Sequence, residues 1–168
     1  VIRFNTTYNN FPFECGQQVN LVVTLERNEY KGVVTPSLLL KDIRRAEMQQ
    51  DELIDALRAF DSVVRRDIIT PEHAAAYIPD RAQLERTYRF VHKDKGWTGS
   101  LDQLCCLLKE PEIPYIRLRL SLEILYQAGL LSLKDNGDTL EIKLLPAGGK
   151  VDLTKTPIFK YLNSCLKK

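Results

Sequence analysis

Leu131-Ser132-Leu133-Lys134-Asp135-Asn136-Gly137-Asp138-Thr139-Leu140-Glu141-Ile142-Lys143-Leu144 is the stretch on which the reading of the fold turns. Apolar and polar residues alternate on both sides of Asp135-Asn136-Gly137-Asp138, which predicts two half-buried strands. Asn-Gly between such runs is a strong hairpin signal, because a two-residue turn needs positive φ. Upstream, Gly129 ends a helical run from about Tyr115 to Ala128 that Pro114 opens. Before it, Ser100 caps a helix through Leu101, Leu104, Cys105 and Leu108 that Pro111 ends. Earlier still, Asp80 caps a helix with Leu84, Thr87, Tyr88 and Val91 on one face. The link Lys93-Asp94-Lys95-Gly96-Trp97-Thr98-Gly99 reads as a turn. Three helices followed by a hairpin make a winged-helix-like pattern over residues 79–168, closed by a short helix from Pro157 to Leu166.

The chain begins differently. Val19 to Leu25 is rich in β-branched residues, and alternation puts Val19, Leu21, Val23 and Leu25 on one face. A polar turn, Arg27 to Gly32, then leads into an antiparallel return through Val33 to Leu40. Pro36 marks an edge strand or a bulge there, because proline removes a ladder donor. Ile2 and Phe4 are expected to add a short strand, followed by an aromatic loop from Tyr8 to Phe13. Residues 1–45 are thus predicted as a partial antiparallel sheet of the OB (oligonucleotide-binding) type, whose remaining strands would precede Val1. Its exposed edge would be open to self-association. From Ala46 to Arg66, Leu53, Ala56, Leu57, Phe60, Val63 and Val64 recur at helical spacing, with Asp51 and Glu52 early and Arg65-Arg66 last. Residues 46–78 are expected as a helical connector, and the domain boundary is placed in the Pro-punctuated stretch 67–80. The class is α+β.

Composition narrows the chemistry. A 44% hydrophobic and 27% charged chain of 168 residues is an ordinary globular sequence, and its net charge of +2 is no electrostatic footprint. The charge is uneven: residues 1–79 carry 9 Lys and Arg against 11 Asp and Glu, and residues 80–168 carry 15 against 11. That points to the second half as the partner for phosphate. Cys15, Cys105, Cys106 and Cys165 lack paired spacing, and His73 and His92 stand far apart, so no zinc site is expected. Free thiols in an apolar helix fit a cytoplasmic location. No run is long enough to span a membrane, and a start at Val1 without Met reads as a fragment. Neither an Asp-His-His run, a His-Glu-x-x-His run, a nucleophile elbow nor a phosphate-binding glycine loop occurs. The expectation is a region with no catalytic residues, no metal ligands and no cofactor.

Binding remains. On the third helix of the winged-helix-like region, Arg117 and Arg119 would face a groove or a phosphate backbone, beside Tyr115, Tyr126 and Gln127. In the preceding turn, Lys93 and Lys95 flank Trp97, a base-stacking side chain between phosphate partners. At the first hairpin, Arg27, Tyr30 and Lys31 sit at the tip. The plainer alternative is that Trp97 covers the core, the arginines are solvated, and Phe11 and Phe13 pack.

Residues 1–44 carry a resemblance. Phe4-Asn5, then Val19-Asn20-Leu21-Val22-Val23-Thr24-Leu25-Glu26-Arg27-Asn28-Glu29-Tyr30-Lys31-Gly32, then Leu38-Leu39-Leu40-Lys41-Asp42-Ile43-Arg44 follow one another. This resembles the second half of the OB domain in the RecJ family of single-stranded-DNA exonucleases, where an Asn-aromatic-x-Gly turn and a terminal Asp-Ile-Arg occur in that order. Asn28, Tyr30 and Gly32 match the turn; Asp42, Ile43 and Arg44 match the ending. The tail after Pro79 is similar, more loosely, to the carboxy-terminal extension of RecJ proteins from Gram-positive bacteria. Pro36 departs from an uninterrupted strand. The resemblance implies a non-catalytic, single-stranded-DNA-positioning region acting in repair and recombination, with divalent metal ions in a catalytic core absent here. The alternative it implies is recruitment of a single-strand-binding protein or another repair protein. A stand-alone winged-helix regulator is a third reading.

Overall fold

The computed structural model describes residues 11, 13, 15–46, 50–93, 95–108, 113–137, 139–146 and 148–167. The strand expected at Ile2 and Phe4, Tyr8 of the aromatic loop, and Asp138 of the second hairpin lie outside the described residues. The chain is mixed α and β, with two small antiparallel sheets among the described residues, and its contacts divide it into residues 1–49 and 50–168.

The first unit is a two-stranded ribbon of β1 (Val19–Tyr30) and β2 (Val33–Arg45). Lys31 and Gly32 join them, both with positive φ (51° and 78°), the geometry that matches the right-handed twist of paired strands. Pairing runs from Tyr30 opposite Val33 down to Val23 opposite Leu40, then resumes at Val22 opposite Asp42. Lys41 is the extra residue, a β-bulge. It re-phases β2, so that Leu38 and Leu40 lie on the same side as Ile43, beside Leu21, Val23 and Leu25 of β1. The bulge therefore falls at Lys41; Pro36 simply faces Arg27 in regular register. Most of this apolar face is open among the described residues, with Leu25 69% exposed, whereas Ile43 and Phe13 are buried.

The second unit contains α1 (Gln50–Arg65), α2 (Pro71–Tyr77), α3 (Arg81–Lys93), β3 (Gly96–Gly99), α4 (Leu101–Leu107), α5 (Tyr115–Gln127), β4 (Leu131–Asp135), β5 (Leu140–Leu144) and α6 (Pro157–Cys165). Local sequence sets most boundaries. Asp80 and Gln83 form a reciprocal capping box at α3: the Gln83 amide donates to Asp80 Oδ1 (2.8 Å) and the Asp80 amide to Gln83 Oε1 (3.1 Å). Ser100 accepts from the Gln103 amide at the start of α4. At the end of α5, Gly129 (φ 71°) donates to the Tyr126 carbonyl (2.9 Å) and Leu130 to that of Leu125 (3.0 Å), the paired bonds of a Schellman stop.

Helix α5 is the axis of the unit. Ile116, Leu118, Leu120, Leu122, Ile124 and Leu125 are all buried, and a helix with apolar residues over most of its circumference belongs inside a core. Two buried hydroxyls are satisfied one turn back, Ser121 by the Arg117 carbonyl (2.7 Å) and Thr87 by that of Gln83 (2.8 Å). Val63 of α1, Leu84 of α3, Ile116, Leu120 and Ile124 of α5, and Ile158 and Leu162 of α6 form one cluster.

Three sequence expectations are corrected here. Residues 46–78 are no connector, and the boundary does not fall at 67–80: α1 buries Val63 in the α5 core, so the division comes at Gln49/Gln50. The stretch 67–80 contains α2, started by Thr70, whose hydroxyl accepts from the His73 amide, and by Pro71 at the first turn. The turn 93–99 contains β3, which pairs with β5 and makes a three-stranded sheet ordered β3-β5-β4. Its glycines permit close approach: a Cβ on Gly96 would stand 2.8 Å from the Ile142 carbonyl oxygen.

Candidate nucleic-acid interface

Tyr30 and Lys31 stand at the ribbon tip and are open to solvent, whereas Arg27, expected there too, is exposed but lies three residues down β1, opposite Pro36, because β1 continues to Tyr30. Tyr30 is 73% exposed, and the Lys31 ammonium lies 5.4 Å from its ring centroid, a cation–π contact that leaves the aromatic side chain accessible. Arg27 stands 3.6 Å from Glu29 with both side chains largely exposed, an ion pair that water and salt weaken readily.

At the turn between α3 and β3, Lys93 and Lys95 are exposed. Lys95 has φ 57° and donates its amide to the His92 carbonyl (3.3 Å). Trp97 is half-buried, opposite Ile142. Its ring lies over Gly99, where a Cβ would come within 2.7 Å of it. The indole thus rests on its own strand, which leaves less of it for stacking than a free loop residue would offer.

The third group is placed against expectation. Arg117 donates from Nε to the Ala76 carbonyl (2.7 Å) and from Nη2 to that of Ala75 (3.1 Å), so it closes the C-terminal end of α2. Arg119 donates to Asp135 at 3.1 Å, and its guanidinium sits 4.8 Å from the Phe60 ring centroid of α1. Its Nε is buried without a partner. Both arginines are turned into the fold, because α1, α2 and α6 pack against α5 where a groove would have to lie. The Gly137 amide and then Arg119 hold the Asp135 carboxyl below its ordinary range. Burial, and next the Asp102 carboxylate, push the Tyr115 hydroxyl well above its usual value, so it stays a neutral phenol.

One basic residue escaped the sequence reading. Among the described residues, the non-glycine positions with positive φ are Lys31, Arg66 and Lys95. Arg66 (φ 61°) is the C-terminal stop of α1: its amide donates to the Val63 carbonyl (3.1 Å), and that of Asp67 to Ser62 (2.9 Å). Glycine is the usual occupant of such a position. The readable signal was a helix ending in Arg65-Arg66-Asp67 with no Gly or Asn to stop it.

Among the described residues no group of three or more His, Cys, Asp or Glu gathers as metal ligands, and no helix is long and apolar enough to cross a membrane. Comparison with protein-family models, with curated proteins and with solved structures finds no match.

Proposed function

We propose that this chain is a non-catalytic, single-stranded-DNA-positioning region of a RecJ-like exonuclease, working in the cytoplasm in repair and recombination. The ribbon is read as part of an OB-type barrel and the second unit as a winged-helix-like module with its third helix enclosed. One observation carries the reading: each non-glycine residue held at positive φ among the described residues is a lysine or arginine at an exposed turn. An L-residue in that conformation costs about 1–2 kcal/mol, and Gly or Asn would relieve it. Strain kept at a turn for the sake of a cation suits a surface that tracks phosphates. Tyr30 beside Lys31 adds a stacking face, worth roughly 1–3 kcal/mol per base. In this reading Arg117 and Arg119 support the fold, and Lys31, Lys93 and Lys95 with Tyr30 and Trp97 meet the strand.

The test is anisotropy of a labelled single-stranded oligonucleotide titrated with the full chain across a salt series. The Tyr30→Ser/Lys31→Asn variant keeps a turn residue tolerant of positive φ and drops the charge and the ring. It should bind more weakly, with a salt slope shallower by about 0.7 for the one lost cation. No binding by the wild-type chain at low salt would overturn the reading.

A second reading, recruitment of a repair protein, is favoured by a cleft of about 530 Å³ floored by Leu84, Tyr88, Leu125, Leu130 and Phe159. A chain that binds no oligonucleotide and is captured through apolar anchors on this cleft would favour that reading.

A further inference from the structure

We infer that the cleft between the end of α1 and the exposed face of α6 is a phosphate-binding site that takes the backbone of single-stranded nucleic acid. The inference rests on the positioning role proposed above and adds a contact surface to it. The cleft is a shallow, open depression of about 470 Å³ lined by Arg66, Lys155, Pro157, Lys160, Tyr161 and Ser164. Three of those six residues are cations, and none is acidic.

The cations are available. Arg66 and Lys160 make no ion pair among the described residues, and both are exposed. Lys155 is paired only loosely, 3.6 Å from Asp152, with both side chains open to water; a phosphate can displace such a partner. Pro157, Lys160, Tyr161 and Ser164 recur at three- and four-residue spacing, so one face of α6 forms the wall. The positive end of that helix begins at Pro157, on the same wall.

The walls are also fixed to each other. The Tyr161 hydroxyl donates to the Asp67 carbonyl, next to Arg66 in the chain. That bond ties α6 to the turn carrying Arg66, so the guanidinium is presented from a held backbone. The turn itself is the second, independent sign. Arg66 keeps a left-handed conformation at a helix stop where glycine would be less strained, and a side chain retained against strain points to a use for that side chain. Arginine suits the use, since its planar fork donates two parallel hydrogen bonds to phosphate oxygens.

The experiment uses the full chain and the same labelled oligonucleotide. Arg66→Gly alone should weaken binding while raising the melting temperature, because the strain goes with the side chain. A merely structural arginine would show the opposite trend or none in binding. The Arg66→Gly/Lys155→Gln/Lys160→Gln variant should lower the salt slope by about 2, from three lost contacts at roughly 0.7 each. A wild-type slope in that variant, with binding still weakened by Tyr30→Ser/Lys31→Asn, would overturn the cleft and leave the positioning role standing. Thermal stabilisation by inorganic phosphate, with oligonucleotide binding unchanged in the triple variant, would give the cleft to a small phosphate ligand and overturn the inference. Absence of any oligonucleotide binding by the wild type would remove the positioning role and the cleft together.

Discussion

Replacing Arg117 and Arg119 together by alanine separates a reading helix from a supporting one. Arg117 gives two charge-assisted bonds, at 2.7 and 3.1 Å, to the last carbonyls of α2. In an exposed setting these are worth about 1.5 kcal/mol together, roughly what two ordinary hydrogen bonds contribute and less than two buried bonds to a charged group would. Arg119 adds its pair with Asp135, about 0.5 kcal/mol at partial exposure, and its contact with the Phe60 ring, about 1 kcal/mol. The unpartnered buried Nε of Arg119 offsets part of this, since alanine removes an unsatisfied donor. The two side chains share no partner, so their losses should add to about 2–3 kcal/mol. For a unit of this size that lowers the melting point by on the order of 10 °C. Urea denaturation followed by circular dichroism reads the stability, and anisotropy at a temperature where the variant is folded reads binding. An unchanged midpoint combined with weaker, less salt-dependent binding would refute the placement and return α5 to the role of reader.

Two further perturbations follow from the packing and the charges. Val63→Ala removes a fully buried side chain from the cluster shared by α1, α5 and α6, and should destabilise the second unit by about 2 kcal/mol in urea titration; a loss within 0.5 kcal/mol would restore α1 to the role of connector. Asp135 titrates below its ordinary 3.8 in the fold, so its stabilising contribution is present above that value and is lost as pH falls through the lower folded value. The stability gap between wild type and Arg119→Ala should accordingly narrow in acid below about pH 4; a gap that widens there would contradict the Asp135 pairing.

Elements with a strong local signature were readable from sequence. Asn136-Gly137 between alternating strands, Asp80, Ser100 and Gly129 are each sufficient to set a boundary by local hydrogen bonding, although the reciprocal bond from Gln83 at the Asp80 cap shows only in the structure. What depended on distant partners was not. Gly96-Trp97-Thr98-Gly99 has the composition of a turn and becomes a strand because β5 offers it an edge. The short helix α2 lies between Pro71 and Pro79, and its Thr70 cap and three alanines were outweighed by those prolines. The apolar stripe of α1 announces burial without saying against what, so α1 was separated from the core that it completes. Arg117 and Arg119 show the same limit at the candidate site. Their residue type suits phosphate, but which side of α5 stays open is a tertiary fact. The spread of apolar residues between Ile116 and Leu125 over most of the helix was the sign that little of it would, and Tyr126, 48% exposed, lies on the part that does.

The Lys41 bulge gives the ribbon one place where its length can change. Substitutions along β2 alter one side chain at a time, and loss of Lys41 itself would only heal the bulge, leaving Leu40 opposite Val23, Asp42 opposite Val22 and Ile43 opposite Leu21 as before. A one-residue loss elsewhere in the strand would instead move every residue between the gap and Lys41 to the other face. Among related chains a one-residue gap in this strand should therefore fall at Lys41.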